Sequence, residues 1–200
     1  MGIERSAKAT PVTPEQVFIS LAVAWQSLTG TAPERKVILA IHAQSALETG
    51  HWRYIQNFNL GGAKKHGTCD WTYFTTTERF PAPKADEYLR ASKPGAQVTL
   101  VKEADGMKTL KFSGKQNMNC FASWETLDDA AKAQLDLLFK RYPKALEAAK
   151  RGDIAGYVRE LKRAGYFTAS EEDYRKTVES IARSYDKKLA NVQFPGVVVL

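Results

Sequence analysis

The first quarter of the chain repeats apolar positions with a helical period. The capping-box sequence TPEQ begins at Thr13 and leads into VFISLAVAWQSL, which ends before Gly30. A second apolar run, ERKVILAIHAQSALE, follows Pro33, and Gly50 lies just past its end. Two helices are therefore predicted within residues 13–50.

The pattern changes after this segment, where aromatic, glycine and threonine residues cluster. YFTTTERF is typical of a strand, and QVTLVKE and MKTLKFS flank the turn sequence ADG, which is a hairpin signal. Helical periodicity returns from Ser123, with an interruption at Pro143 and a last helix that begins at Ser170. The chain thus has helices, then strands, then helices again.

This layout predicts an α+β fold, mainly helical, with a small β-lobe inserted between two helical halves. We expect one domain over residues 1–200. Its helical halves would cover about 13–50 and about 123–190, around a β-rich lobe of about 51–122. A cleft beside such a lobe is a usual place for a ligand.

The composition narrows the class of partner. The 200 residues carry 29 Lys and Arg against 22 Asp and Glu, and the net charge of +7 favours an anionic partner such as nucleic acid, a membrane surface or a cell wall. No apolar run approaches the ~18 residues that span a membrane. The N-terminus shows no apolar stretch of a secretory signal. Cys69 and Cys120 suit two buried thiols or, outside the cytosol, a disulfide.

Glu48 ends the second apolar run, on the line of the helix that also carries Val37 and Ile41. Partial burial and the negative end of the helix dipole both disfavour the carboxylate, so the pKa of Glu48 should rise. A carboxylic acid that stays protonated near neutral pH suits the protonation of a glycosidic leaving group. The alternative is a structural glutamate paired with His51 or Arg53.

The following segments supply two further polar candidates. Asn59 precedes the pair Gly61-Gly62, whose backbone can approach a ligand closely, although such pairs often only form a turn. In the predicted strand, Glu78 shares a face with Thr76. It would be a second carboxylate if that face borders a cleft, and the alternative is a solvated edge charge.

Aromatic side chains complete the candidate site. Tyr166, in GYFTA between the last two predicted helices, offers a ring to a sugar face and a hydroxyl to a reacting group, or it closes the loop as a core residue. Among possible sugar-stacking side chains we favour Trp52 and Tyr73. The other candidates are Phe58, Trp71 and Phe74.

Five segments resemble, in this order, motifs of the glucosaminidase family of peptidoglycan hydrolases, which is glycoside hydrolase family 73. AQSALETGHW resembles its helix ending in Glu-Ser/Thr-Gly, NLGGAK its Asn-Leu-Phe-Gly-Ile-Lys loop, and TTTERF its Thr-Thr-Glu strand. FASWETLDDA and GYFTASEEDY resemble two motifs nearer the C-terminus of the family. The similarity covers roughly residues 15–185 and implies a lysozyme-like fold.

The resemblance also implies roles for particular residues. Glu48 matches the catalytic acid, Glu78 the second, mobile carboxylate of the β-lobe, and Tyr166 the tyrosine that faces the reaction centre. The reaction implied is endo-β-N-acetylglucosaminidase cleavage of β-1,4 bonds in peptidoglycan glycan strands, with no metal and no cofactor. As substrate-binding residues we expect Trp52, Asn59, Gly62, Tyr73 and Phe121.

The resemblance extends to partners and location. Peptidoglycan glycan strands are the expected partner of a monomer that binds neither nucleic acid nor membrane. Action is expected in the periplasm or the cell wall, with delivery by phage lysis, as part of a virion or by specialised secretion, since no signal peptide is visible. Gly61 stands where the family usually has Phe, and Ala63 where it has Ile, which affects the substrate range more than the acid.

Other functions remain as alternatives. A muramidase or a lytic transglycosylase would use the same fold and the same acid, and its products would distinguish it. A non-catalytic cell-wall protein or a nucleic-acid-binding protein would suit the charge, but no helix-turn-helix, finger or RNA-recognition motif is evident. A zinc site from His66 and Cys69, with Cys120 and His51, is a further alternative, of which only the His66-x-x-Cys69 spacing is local.

Overall fold

The computed structural model describes residues 2–91, 97–115 and 118–194. Within these ranges the chain forms helices and short antiparallel sheets, which confirms the α+β class. No described helix is both long and apolar enough to cross a membrane. The helices are α1 (Pro14–Thr29), α2 (Arg35–Glu48), α3 (Ala82–Arg90), α4 (Leu127–Arg141), α5 (Pro143–Lys150), α6 (Ile154–Arg163) and α7 (Glu171–Lys188), and the strands are β1 (Trp71–Tyr73), β2 (Thr76–Pro81), β3 (Gln97–Ala104), β4 (Met107–Ser113) and β5 (Cys120–Ala122).

The contacts within the chain divide it into two compact units. The helical unit consists of Ala9–Gly61 and the chain from Trp124 onward. The β unit consists of the N-terminal segment through Lys8 and of Gly62–Ser123. Each unit has its own hydrophobic cluster, and the cluster of the helical unit is the larger one.

The first two helices begin and end where their sequences predict. The hydroxyl oxygen of Thr13 accepts from the backbone N–H of Gln16 (3.2 Å), and the Gln16 side chain accepts from the backbone N–H of Thr13 (2.8 Å). Gly30, at φ 72°, ends α1 in the left-handed conformation that glycine tolerates. α2 ends at Glu48, and Gly50 follows at φ 57°. The end of α2 therefore places Glu48 in the last turn of the helix, directly before the loop that begins at Thr49.

The core of the helical unit surrounds α2, most of whose residues are buried. α1 packs against α4, α2 against α7, and α6 against both α5 and α7. Tyr157 of α6 is fully buried, and its hydroxyl donates to the side-chain oxygen of Gln44 on α2. Residues 51–61 also belong to this unit, rather than to the β-rich lobe as the sequence pattern predicted, because Trp52 and Leu60 are buried in its core.

The β unit contains two antiparallel sheets, one of β1 and β5 and one in the order β2–β4–β3. The predicted hairpin is confirmed, since Asp105 (φ 55°) and Gly106 (φ 70°) form the two-residue turn between β3 and β4. A type I′ turn requires both residues in the left-handed region. On one face of the larger sheet, Ala85 of α3 packs in a buried cluster with Leu110 and Phe112.

The β unit differs from the sequence prediction in two places. YFTTTERF is not one strand, since Tyr73 ends β1 opposite Cys120 whereas Thr76 begins β2 opposite Phe112. The two halves of the segment therefore pair with different strands. α3 lies where the sequence pattern predicted only strands and turns, because a helix of 9 residues contains too few periods for the pattern to mark it.

Candidate active site

Glu48 is the last residue of α2 and is exposed, so a substrate can reach its side chain. The hydroxyl of Tyr174, on α7, donates to Oε1 of Glu48 at 2.6 Å. Tyr174 is 8% exposed, and its ring stacks on Phe167 at a centroid distance of 3.8 Å, which fixes the position of the hydroxyl. Among the described residues the hydrogen-bond partner of Glu48 is thus Tyr174, and not His51 or Arg53.

The electrostatic surroundings of Glu48 agree with the direction predicted from the sequence. Glu48 is exposed as a residue, but the surrounding protein atoms partly desolvate its carboxyl group; this desolvation raises the pKa of Glu48, while the hydrogen bond from Tyr174 lowers it. Burial also raises the pKa of three tyrosine hydroxyls, and the negative charge of Glu48 adds to this effect. Tyr157, Tyr166 and Tyr174 therefore keep their protons and act as hydrogen-bond donors near the carboxyl group.

Tyr166 is held in the loop between α6 and α7. Gly165, at φ 75°, turns the chain after α6, and the backbone N–H of Tyr166 donates to the carbonyl oxygen of Leu161 at 2.9 Å. The ring packs edge-on against Tyr142 at 5.3 Å. A Cβ at Gly61 would lie 3.3 Å from the hydroxyl oxygen of Tyr166, so the glycine at this position leaves room for that hydroxyl.

The loop that follows Glu48 has a strained backbone. His51 and Trp52 have φ values of 58° and 61°, in the left-handed region that side chains other than glycine rarely adopt. The hydroxyl oxygen of Thr49 accepts from the backbone N–H of Trp52 at 3.1 Å, and the His51 ring forms a hydrogen bond with the hydroxyl of Tyr185 at 2.9 Å. These contacts hold the loop beside Glu48 in one conformation.

Two of the predicted substrate-binding residues of the helical unit are buried. Trp52 is 2% exposed; its indole N–H donates to the hydroxyl oxygen of Ser45 at 3.1 Å, and the Ser45 hydroxyl donates to the carbonyl oxygen of Leu60 at 2.7 Å. Asn59 is buried as well, and its backbone N–H donates to the carbonyl oxygen of Gln56 at 3.0 Å. Through Ser45, the side chain of Trp52 connects the loop after α2 to the segment that contains Leu60. Its buried ring has no open face for a sugar.

Glu78 lies in the β unit, on β2, where it pairs with Leu110 of β4 and is half-buried. Burial lowers the pKa of the Lys64 ammonium group, and the negative charge of Glu78 opposes this effect. The two groups are therefore near enough to interact. Glu78 thus has a cationic neighbour within its own unit.

The β unit also contains three predicted substrate-binding residues. Phe121 is 8% exposed; its ring stacks on Phe74 at 4.6 Å, and Nζ of Lys64 lies 3.8 Å from its centroid. Tyr73 is 37% exposed and offers the more accessible ring. Gly62 has φ 63°, and a Cβ at this position would meet nothing within 4 Å, so its surroundings are open.

The contact between Tyr174 and Glu48 was not predicted from the sequence. A signal existed, since Tyr174 and Val178 are one helical turn apart and mark the buried stripe of α7. The predicted site residues divide between the units. The helical unit holds Glu48, Trp52, Asn59 and Tyr166, and the β unit holds Gly62, Tyr73, Glu78 and Phe121.

Neither Cys69 nor Cys120 forms a disulfide, so the pairing that the sequence left open is not made in this structure. The sulfur of Cys69 accepts from the backbone N–H of His66 at 3.4 Å, and Cys120 is buried. Among the residues that the structure describes, no group of three or more His, Cys, Asp or Glu side chains is arranged to hold a metal ion.

Comparisons with known proteins give one family and one structure. The model of the family Glucosaminidase, described as mannosyl-glycoprotein endo-beta-N-acetylglucosaminidase, matches residues 36–187. Among solved structures, the chain is similar to the catalytic domain of the autolysin Auto from Listeria monocytogenes, with 16% identity and a TM-score of 0.45, over 93% of this chain and 91% of that chain. No curated protein matches the chain in a sequence comparison.

Proposed function

Since the chain belongs to the glucosaminidase family, we propose that Glu48 is its general acid. Family membership makes the chain a glycoside hydrolase and a peptidoglycan hydrolase, as expected from the sequence. The observation that supports the role of Glu48 is an accessible carboxyl group of raised pKa, held by a tyrosine hydroxyl at the end of α2. Such a group can deliver a proton to a leaving glycosidic oxygen near neutral pH.

The contact with Tyr174 gives the two oxygens of Glu48 different roles. Oε1 accepts the hydrogen bond from the tyrosine, as the carbonyl oxygen of a protonated carboxyl group does. The proton then resides on Oε2, which donates it to the glycosidic oxygen of a β-1,4 bond as that bond breaks. The same hydroxyl stabilises the carboxylate that remains after the transfer.

The positive charge that develops on the sugar ring needs a second group. Glu78 and Tyr166 are the candidates from this chain, and the 2-acetamido group of the substrate is the third. A Glu78→Gln variant separates these possibilities by its kcat. A large loss of kcat supports a carboxylate that acts on the ring, and an unchanged kcat assigns that role to the tyrosine or the acetamido group.

We place the substrate, a peptidoglycan glycan strand, against the accessible ring of Tyr73, with Phe121 as a packed support and the backbone at Gly62 open to close approach. Asn59 is buried and stabilises the loop that precedes Gly61. Cleavage takes place where the substrate is, in the cell wall. The chain acts as a monomer in this proposal and uses no cofactor.

The role of Glu48 is tested by the dependence of the rate on the leaving group. A Glu48→Gln variant should lose activity on glycan strands, whose sugar leaving group needs a proton. It should retain most of its activity on a soluble glycan fragment with a nitrophenol leaving group, which departs without one. Glu15→Gln is the matched control, because Glu15 is an exposed carboxylate at the start of α1.

Two results would contradict this role. One is equal loss on both substrates in a folded Glu48→Gln variant, which would place Glu48 outside proton donation. The other is near-normal turnover of glycan strands by that variant. Circular dichroism and thermal unfolding of both variants establish that the fold is intact.

A further inference from the structure

The sheet β2–β4–β3 has one covered face and one open face. α3 packs against the face that carries Phe80, Leu110 and Phe112, and the last two of these are fully buried. Residues paired directly across antiparallel strands lie on the same face, and successive residues of a strand lie on opposite faces. The register therefore assigns the residues that alternate with these to the open face. On β3 an irregularity between Leu100 and Lys102 shifts the alternation, and the pairing with Thr109 puts Lys102 on the open face.

Two adjacent rows of paired residues form the centre of the open face. In one row a lysine of β4 stands between two threonines, and in the next a threonine of β4 stands between an arginine and a lysine. We call this surface the basic face. Its rows are Thr77, Lys111 and Thr99, and Arg79, Thr109 and Lys102.

The three cations of the basic face have no counter-charge within the described part of the chain. Arg79, Lys102 and Lys111 are exposed and make no salt bridge with a described residue. The acidic residues of the same strands lie on the covered face, because Glu78 pairs with Leu110 and Glu103 with a lysine next to α3. No described residue that the register assigns to the open face is acidic.

The spacing of these charges suits a chain of anions better than one small anion. Neighbouring strands lie about 4.8 Å apart, so Arg79 and Lys102, on the two outer strands, start about 10 Å apart across the sheet. Arginine and lysine side chains are long enough to converge across that distance, but the two rows together spread three cations and three threonine hydroxyls over an area larger than one phosphate. Threonine hydroxyls lie between the cations and can donate to the oxygens of the same polymer.

The described residues of the two rows include no aromatic ring, and this indicates which kind of polyanion the basic face suits. Proteins that bind single-stranded nucleic acid combine cations with aromatic rings on which bases stack. No described residue of the two rows is aromatic. A phosphodiester polymer without bases offers two free oxygens at each repeat, and these match an alternation of cationic and hydroxyl donors.

We propose that the basic face binds a phosphodiester polymer attached to the cell wall, and thereby retains the enzyme on its insoluble substrate. The proposal rests on the proposed function, because hydrolysis of peptidoglycan is what brings such a polymer to this face. β2 carries Arg79 on the open face of the sheet and Glu78 on the covered face. The bound polymer would therefore lie on the face opposite the candidate carboxylate.

The test is sedimentation of the protein with purified walls, either complete or stripped of phosphodiester polymer with hydrofluoric acid. One variant carries Arg79→Gln, Lys102→Gln and Lys111→Gln. The matched control carries Lys132→Gln, Lys144→Gln and Arg183→Gln, three exposed cations of the helical unit, so both lower the net charge of +7 by the same three units. Hydrolysis of the stripped walls is measured in parallel for all three proteins.

We expect the basic-face variant to bind complete walls about tenfold more weakly than the wild type does, since each exposed charge contributes a fraction of a kcal/mol. On stripped walls the three proteins should bind equally and hydrolyse equally. The control variant should bind complete walls like the wild type.

Three results would overturn the proposal. If the control variant bound complete walls as weakly as the basic-face variant does, the effect would come from net charge alone. If the basic-face variant also bound stripped walls about tenfold more weakly than the wild type does, the basic face would bind the carboxylates of the peptidoglycan instead. Competition by duplex DNA as strong as that by the free polymer would make the face a nucleic-acid surface. Failure of the proposed function gives a different result, because the wild type would then release no fragments from stripped walls.

Discussion

The Tyr174→Phe variant keeps the ring that stacks on Phe167 and removes the hydroxyl that donates to Glu48 at 2.6 Å. That hydroxyl stabilises the ionised form of Glu48 and so lowers its pKa. Without it the pKa of Glu48 rises, and the acid keeps its proton to higher pH. Because the rate falls where the acid loses its proton, the alkaline limb of the pH–rate profile should move to higher pH.

The size of this shift follows from the hydrogen bond. A hydrogen bond to a charged group contributes about 1.5–3 kcal/mol. Since ~1.36 kcal/mol corresponds to one pH unit, the upper limit is a shift of about two units. Glu48 is exposed, however, and water can replace the lost donor, so we expect the limb to move by about one unit. The plateau rate should fall by less than about tenfold, since the carboxyl group loses orientation but keeps its proton.

The assay is kcat/KM for release of soluble glycan fragments between pH 4 and pH 10, at constant ionic strength. Tyr185→Phe is the matched control, because it removes a tyrosine hydroxyl whose partner is the His51 ring. The control should leave the alkaline limb in place. An alkaline limb that does not move in Tyr174→Phe, or that moves to lower pH, would refute the proposed coupling between the tyrosine and the acid.

Three further predictions concern stability and the shape of the site. Burial lowers the pKa of His42 from 6.5 to about 4, so between these values the unfolded state binds a proton that the folded state does not. The free energy of unfolding should therefore be constant above pH 6.5 and fall by about 2–3 kcal/mol as the pH approaches 4. Urea unfolding of wild type and His42→Gln checks this, and an equal fall in both proteins would contradict it. Gly61→Ala places a Cβ 3.3 Å from the Tyr166 hydroxyl oxygen and should lower kcat roughly fivefold in a folded protein, whereas an unchanged kcat would show that the tyrosine moves without consequence. Gly106→Ala puts a side chain at φ 70° in the hairpin turn and should destabilise the protein by about 1 kcal/mol in urea unfolding, and no loss would mean that the turn changes its type.

The ends of the first helices could be predicted because local chemistry decides them. The capping box at Thr13 and the left-handed Gly30 act within a few residues of their own positions, so both ends of α1 can be predicted from the local sequence. The same holds for the turn at Asp105 and Gly106. Glu48 was placed correctly at the end of α2 for this reason, and the direction of its pKa followed from its position on the apolar stripe.

What could not be predicted depends on partners that are distant along the chain. Tyr174 lies 126 positions from Glu48, and no local pattern links the two. Trp52 was expected to face a sugar, but its hydrogen bond to Ser45 and its burial in the core are tertiary contacts. YFTTTERF has the composition of one strand, and only the pairing of Tyr73 with β5 and of Thr76 with β4 divides it.

We propose that this member of the glucosaminidase family cleaves peptidoglycan with Glu48 as the acid. The most direct measurement is digestion of purified sacculi by wild type and Glu48→Gln, with the released fragments reduced by borohydride and weighed by mass spectrometry. We expect the wild type to release fragments that end in reduced N-acetylglucosamine and the variant to release none, which is the result this proposal requires. Reduced N-acetylmuramic acid ends, anhydro ends, or the same fragments from the variant would contradict it.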